Sequence, residues 1–409
     1  MIKKADTQLI KLLNEVQILN LIRENSPISR VEIARQNKMS KVAVFEIVKR
    51  LINRGYVLDI GKGQSTKRGG KRPTLVTLDA NKHFVIGVEL KRRQALLAVA
   101  NIEAEILKTK NFNFEVGAPP EVVIDKMFKR IDTMMDNCGV KPEQLVSIAI
   151  GIPGLLDYRV GKLHFADTLK GWGDVLIRDQ FEARFHVPVI LENDANTVAL
   201  GESILGAGRD HKDMVCIWIG EGVGAGIIVQ NELVQGAGGA AGEIGYLEIN
   251  KYCRSDRLFK YLFKDQRFFG EILSELNLLQ VLNDQIVKST GKEPEKNNLV
   301  HILKTNAYHE HIREILEEYA YLLGILCLDM IKILNPRLLV LSGDIIENSP
   351  FILEQVKAFM KENTHEIPLD THSLVVGELR EEAGLRGAIA LALQVVFEPK
   401  MAGKYPGIL

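Results

Sequence analysis

The 409-residue sequence predicts a winged helix-turn-helix followed by an α/β body, and three observations carry that expectation. Residues 1–75 hold 16 Lys and Arg against 6 Asp and Glu, while the rest holds 36 against 46, so a basic block precedes an acidic body in a chain of zero net charge. Within the basic block, apolar residues recur at helical spacing over three short segments that lead into a strand pattern. Beyond residue 80, strand-length apolar runs alternate with helical stretches, and glycine or carboxylate-amide clusters stand at the strand ends. A basic stretch alone is more often a solvated surface, so the pattern inside it has to point to a polyanion.

That pattern is specific. Leu12, Leu13, Val16, Ile18, Leu19 and Ile22 predict a helix over Leu9–Glu24, ended by Asn25-Ser26-Pro27. Ser29 caps a short second helix with Glu32 at the capping-box position. Ser40 caps a third, in which Val44, Ile47, Val48, Leu51 and Ile52 face inward and Gly55 stands at C′. Tyr56–Ile60 then reads as a strand. The N-terminal end of such a third helix reaches base edges in a major groove, which selects Ser40, Lys41, Val42, Ala43 and Phe45. Lys49, Arg50 and Arg54 suit phosphates, which set position and not sequence. The wing tip from Lys62 to Arg72 is glycine-rich and carries five cations without an acid, among them Lys67, Arg68, Lys71 and Arg72. Such a loop lies in a minor groove or along phosphates, or is a solvated hairpin.

Composition bounds the rest. Hydrophobic residues at 46% and charged residues at 25% are those of a soluble globular protein. No apolar run approaches the roughly 20 residues that span a bilayer, and the N-terminus has no signal-peptide apolar region, so the expectation is a cytoplasmic protein without a membrane partner. Cys138, Cys216, Cys253 and Cys327 lie far apart, as reduced thiols do.

Asp79-Ala80-Asn81 marks the boundary, giving a DNA-binding domain over 1–80. Strands follow over Phe84–Glu89 and Gln94–Ile102, then a helix over Pro120–Met135 and strands over Leu145–Gly151, Pro188–Glu192 and Met214–Ile219. A helical region runs from about Arg257 to Ile333, then a strand over Leu338–Ser342 and a closing helix over Gly384–Phe397. Two strand ends are polar: Gly151–Asp157, which includes Gly154, and Leu191–Asn196. Asn193 and Asp194 with Glu243 offer the paired donors and acceptors that a neutral polyol needs, although either Asn193 or Asp194 also serves as a helix N-cap.

Between Trp218 and Ile249 two glycine clusters flank an apolar run, followed by Glu243 and Tyr246. Gly220, Gly222, Gly224 and Gly226 alternate, and a side without side chains admits a ligand or another backbone. Glycine spacing alone fits two buried hairpins packed together.

In this order the motifs resemble the ROK family (repressors, open reading frames and kinases) over nearly the whole chain. The residues that carry the resemblance are Gly69–Pro73, Gly151-Ile152-Pro153-Gly154 with Asp157, Gly171-Trp172, Glu192–Asn196, Gly242–Gly245, Ser342–Asp344 and Gly384–Ala388. The resemblance implies a two-lobed, actin-like sugar-kinase body, with a first lobe over 81–196 and a second over 197–409 whose last helix is free to return to the first. It also implies a sugar site at Asp194, the catalytic base of the kinases, and at Glu243.

Two departures redirect the function. Where kinases of the family end their first body strand in Asp-x-Gly-Gly-Thr to hold ATP phosphates, this chain has Glu89-Leu90-Lys91-Arg92-Arg93, whose side chains fill the cradle. Where typical members place a histidine and a cysteine-rich zinc loop, it has Tyr246 and then Lys251–Asp256 with Cys253 alone, too few ligands for a structural zinc. Tyr246 either donates its hydroxyl to a sugar or packs as an aromatic. The expectation is a sugar-responsive transcriptional regulator, most simply a repressor and not an enzyme, without cofactor or metal. It would bind double-stranded operator DNA as a homodimer or dimer of dimers, with a sugar or sugar phosphate at Gly154, Asn193, Asp194, Glu243 and Tyr246. A DNA-binding sugar kinase and a ligand-independent DNA-binding dimer are the alternatives.

Overall fold

The computed structural model describes residues 7–63, 72–158, 160–166, 168–249, 261–262, 266–291, 298–306, 310–363, 373–405 and 408. The chain opens with α1 (Thr7–Asn25), β1 (Ile28–Ser29), α2 (Arg30–Gln36), α3 (Lys41–Asn53), β2 (Val57–Lys62) and β3 (Thr74–Leu78). The capping box at α2 forms as its sequence requires: Ser29 Oγ accepts from the Glu32 N–H, and the Glu32 carboxylate accepts from the Ser29 N–H. Gly55 takes the left-handed conformation (φ +80°) that turns the chain from α3 into the wing. The wing strands pair antiparallel, and β1 adds to β3, giving the order β1-β3-β2.

The body is built on two five-stranded sheets. The first contains β4 (Phe84–Leu90), β5 (Gln94–Asn101), β6 (Ile106–Asn113), β7 (Leu145–Ile152) and β10 (Val189–Asn193), ordered β10-β7-β4-β5-β6. Helices α4 (Pro120–Cys138) and α5 (Ile177–Phe185) lie in the same lobe, and β8 (Leu155–Asp157) pairs with β9 (Lys162–Phe165) as a hairpin beside it. After β10 the chain enters α6 (Asp194–Leu205) and then the second sheet, from β11 (Met214–Ile219), β12 (Val223–Val229) and β13 (Glu232–Leu233). Helices α7 (Phe269–Leu273), α8 (Glu275–Thr290), α9 (Leu299–Asn306) and α10 (Glu310–Leu334) cover it. Then come β14 (Leu338–Ser342), α11 (Asp344–Asn348), α12 (Pro350–Asn363), β15 (Ser373–Val376), α13 (Ala383–Phe397) and α14 (Pro399–Lys404), and the sheet order is β13-β12-β11-β14-β15.

Between the sheets lie α6, on β11 and β12, and α13, on β4 and β7. They touch closely because glycines remove the side chains in the way. A Cβ on Gly387 would lie 1.7 Å from the Thr197 carbonyl oxygen, and one on Gly201 would lie 2.3 Å from that of Ala383. Gly387 of the C-terminal block therefore serves helix packing, whereas a Cβ on Gly384 would lie 2.5 Å from Glu89 Oε1. One apolar cluster continues from the winged-helix core, through Val396 and Ile389 of α13, to Val198 of α6 and Cys216 of β11.

The C-terminal end of α13 also reaches the winged helix. Asn20 donates to the Phe397 carbonyl at 2.7 Å, Arg23 lies 4.2 Å over the Phe397 ring, and Tyr56 donates to the Ile408 carbonyl at 2.7 Å. Tyr56 also stacks on His83, with ring centroids 3.9 Å apart.

Several sequence expectations need correction. The polar pattern of β6 hid a strand because it is an exposed sheet edge, where lysines discourage further pairing. The hairpin β8–β9, α5, α12 and β15 also went unpredicted. The helical region expected from about Arg257 to Ile333 is divided into α7 to α10 over its described residues, and Leu316, Tyr319, Leu323 and Leu326 of α10 are buried in the second-lobe core. The glycine stretch forms two hairpins, β11–β12 and β12–β13, and its second glycine cluster lies in the loop beyond β13. The expected zinc-loop departure at Lys251–Asp256 lies outside the described residues, as do Lys67, Arg68 and Lys71 of the wing tip.

Candidate effector cleft and DNA-facing helix

Ser40 caps α3 by accepting from the Ala43 N–H at 3.1 Å, so its hydroxyl oxygen is already engaged by the helix. Lys41, Val42 and Phe45 project from the first turns, and Val42 is 74% exposed, an apolar side chain that the fold leaves in water. Ala43 is half-buried, and the Arg30 guanidinium lies 5.0 Å over the Phe45 ring. Lys49 and Arg72 are exposed. Arg50 and Arg54 are not simply free for phosphates. Their guanidinium groups hold the buried Glu15 carboxylate at 2.6 and 3.0 Å. A buried carboxylate requires such partners, and Glu15, on the buried face of α1, is the signal that sequence reading passed over.

In the body, a cleft of about 1150 Å³ opens between the two sheets. The expected Gly154, Asn193, Asp194, Glu243 and Tyr246 all line it. Gly154 has φ +112°, and a Cβ there would lie 2.3 Å from the Phe165 carbonyl oxygen, so the turn after β7 admits only glycine without strain. Asn193 is the N-cap of α6, with its side-chain oxygen accepting from the Ala195 and Asn196 N–H groups and its amide donating to Gly154 at 3.2 Å. Its polar atoms are largely used, and it fixes the turn beside the cleft. Asp194 Oδ1 accepts from its neighbour's N–H at 2.9 Å.

Burial raises the pKa of Asp194, opposed by the hydrogen bond from Ala195 and by the charge of Lys91. Burial likewise raises Glu243, with the charge of Asp194 adding to it. The two carboxylates thus share a poorly hydrated space. Tyr246 is 54% exposed and packs edge-on against Phe268, which also lines the cleft.

Gly224 lines the cleft beside Gly220 and Gly222, whereas Gly226 does not, and both Gly224 and Gly226 also meet α6. A Cβ at Gly226 would lie 2.1 Å from the Ala199 Cβ, and one at Gly224 would lie 2.9 Å from the Ala195 Cβ. These glycines let α6 settle on β12.

Beyond Asp194 the cleft is acidic. Glu89 is 3% exposed and its Oε1 lies 3.3 Å from the Lys91 ammonium, while Glu221 lies 3.9 Å from Arg92. Burial raises Glu221 and Asp344, and Glu275 is pushed up to about 7 by burial and by the charges of Asp344 and Glu221. The field of Lys91 opposes the rise in Glu89, Asp194, Glu221, Glu275 and Asp344 alike. Sequence reading singled out Lys91 and missed Glu275, which stands on a helical region with no recognisable motif.

Fold and site define a two-lobed, actin-like body joined to a winged helix-turn-helix. The chain belongs to the ROK family, whose profile matches residues 85–395, and a winged helix-turn-helix DNA-binding profile matches residues 13–57. The xylose repressor of Caldicellulosiruptor bescii is 26% identical over 389 residues, covering 94% of this chain and 96% of its own length. The DNA-binding transcriptional dual regulator NagC of Escherichia coli is 25% identical over 399 residues, covering 94% and 92%. Among solved structures, a ROK family transcriptional regulator described as a homolog of the E. coli MLC protein superposes with a TM-score of 0.79 at 19% identity, covering 97% of this chain and 99% of that one. A ROK family glucokinase from Streptomyces griseus, solved with glucose and AMPPNP, has the body fold at a TM-score of 0.64 and 24% identity, covering 76% and 99%.

Proposed function

We propose that this chain is a sugar-responsive transcriptional repressor working in the cytoplasm. The supporting observation is the physical continuity of its parts. Asp194, at the start of α6, lines the cleft; α6 packs on α13; and the end of α13 is bonded to α1 of the winged helix. A ligand that prefers one arrangement of the lobes therefore biases the placement of α3, with couplings in such systems of typically 1–3 kcal/mol.

In this reading residues 1–80 form the DNA-binding domain, and 81–196 and 197–409 form the two lobes, with α13 returning to the first sheet. Lys41, Val42, Ala43 and Phe45 face bases; Lys49, Arg72 and the wing cations Lys67, Arg68 and Lys71 face phosphates. A homodimer sets two α3 helices on the half-sites of a palindrome. The sugar lies against Asp194, Glu243 and Tyr246, with Gly154 and Asn193 shaping the turn.

Phosphoryl transfer is not part of this function. Lys91 and Arg92 stand where the kinase motif has glycines, and the Lys91 ammonium neutralises the buried Glu89. An ATP phosphate would have to displace that cation and meet Glu221, Glu275 and Asp344, so repulsion opposes its entry.

Fluorescence anisotropy with DNA from upstream of the chain's own operon tests the proposal. Binding at modest salt, weakened by one sugar of a panel, is expected. Absence of binding to any such DNA would refute the repressor reading, and sugar-stimulated ADP release lost in Asp194→Asn would favour the kinase.

A further inference from the structure

A sugar held between two lobes needs both lobes to stay against it, and one buried carboxylate joins them. Glu192, near the end of β10 in the first sheet, is 1% exposed. Its Oε1 accepts from the Tyr158 hydroxyl at 2.6 Å, from the Asn196 amide at 2.9 Å and from the Asn193 N–H at 2.9 Å. Its Oε2 accepts from the Gln235 amide at 2.6 Å. Tyr158 follows β8 of the first-lobe hairpin, whereas Gln235 follows β13 of the second sheet. Three donors thus belong to β10 and its neighbours, and the fourth arrives from the opposite lobe.

The surrounding backbone is shaped for that approach. Gly239 is buried at φ +77°, and a Cβ there would lie 2.2 Å from the Tyr158 ring and 3.1 Å from the Leu156 carbonyl oxygen. The loop therefore meets the hairpin closely at Gly239. The loop leads into Glu243, and the hairpin follows Gly154, both of which line the cleft. Gln235 itself is an exposed residue, so a surface side chain supplies the interlobe hydrogen bond to a carboxylate hidden from water.

We propose that the Gln235–Glu192 hydrogen bond, braced by Tyr158, is a clasp that holds the two lobes closed at the effector end of the cleft. Gln235 and Tyr158 are then positioning residues: they touch no sugar, but they set the distance between Glu243 on one lobe and Asp194 on the other. When the lobes part, Glu192 Oε2 exchanges the amide for water and the loop leaves the Tyr158 ring. The clasp rests on the effector reading above and adds the element that governs how long the effector stays.

The test uses the full chain with D-xylose, N-acetyl-D-glucosamine and D-glucose as probes. Titration calorimetry gives affinity, and stopped-flow fluorescence of Trp218, which lines the cleft, gives dissociation rates. Gln235→Ala is expected to melt within a few degrees of the wild type yet release its sugar about tenfold faster, the size of one hydrogen bond to a charged acceptor. Gln235→Glu sets two carboxyl groups against each other, which stay together only with a shared proton. Its affinity should recover as pH falls from 8 to 5.5, a dependence absent from Gln235→Ala.

Wild-type dissociation rates in both variants would overturn the clasp. So would weakened binding without the pH dependence of Gln235→Glu, which would reduce Gln235 to packing. If the wild type binds none of the three sugars, the effector reading itself falls and the clasp with it.

Discussion

Glu192 and Glu275 are both carboxylates that burial makes reluctant to ionise, but the fold treats them differently. Glu192 has four hydrogen-bond donors around two oxygens. Glu275 has the N–H of Asp344 and the distant field of Lys91, set against the charges of Asp344 and Glu221. The first is a saturated group that stabilises one arrangement of the lobes. The second has one such donor against two like charges, and with burial these push its pKa up to about 7. The end of the cleft beside Glu192 is thus organised for shape, and the end at Glu275 is an acidic space with Lys91 as its shared counter-charge.

The contrast breaks most easily at Glu192. Glu192→Leu removes the acceptor and leaves the Tyr158 hydroxyl and the Asn196 amide facing an apolar side chain. A loss of about 3–5 kcal/mol is expected, on the scale of breaking a buried polar network, read as the shift in a urea or thermal unfolding curve. A loss below about 1 kcal/mol would show that water satisfies those donors equally well and that the saturation of Glu192 is incidental.

Lys91→Met probes the other end. It leaves Glu89 buried without its cation and raises the proton affinity of the carboxylates that Lys91 now restrains. Because the Lys91 side chain is 35% exposed, screening limits the effect to about 1–2 kcal/mol at pH 8. The deficit should shrink toward pH 5 as the carboxylates protonate, so melting temperatures across pH provide the check. A deficit that does not change with pH would mean that Lys91 contributes packing and not charge.

Glu275→Gln is gentler and isolates one group. With the folded-state pKa raised to about 7 against an ordinary 4.5, the folded protein binds more protons than the unfolded chain between those values. Stability is therefore full below about pH 4.5 and declines as pH rises to 7, by at most about 1.4 kcal/mol per pH unit for one proton. The glutamine variant should lack that decline and be more stable than the wild type at pH 8. A pH profile parallel to that of the wild type would place the titration elsewhere.

Legibility in the sequence followed periodicity and local chemistry. The three helices of the winged domain were visible because each has an apolar stripe and a cap, Ser29 or Ser40, within a few residues. Gly154, Asn193, Asp194, Glu243 and Tyr246 were visible because they sit in short motifs at strand ends, and the fold brings all five to one cleft. The purpose of Gly224, Gly226 and Gly387 was not visible, since it depends on helices distant in sequence that approach to within a Cβ of them. Gln235 and Tyr158 were equally hidden: they are 77 residues apart, and only the closure of two lobes on Glu192 joins them. Arg50 was assigned to phosphate because its charge is local information, while its partner Glu15 lies 35 residues away.

That last pair extends the contrast between saturated and free charges to the DNA-binding surface. Lys49 is an exposed cation on α3, whereas Arg50 beside it holds a buried carboxylate. Lys49→Ala should leave the melting temperature unchanged, weaken binding to all DNA sequences alike, and make the slope of log K against log salt shallower by about 0.9 for one lost phosphate contact. Arg50→Ala should instead lower stability by about 1 kcal/mol, since Arg54 still holds Glu15 and the lost arginine is 40% exposed. Its salt slope should match that of the wild type. A slope reduced equally in both variants would return Arg50 to the phosphate-binding set and make its pairing with Glu15 a contact of the DNA-free state.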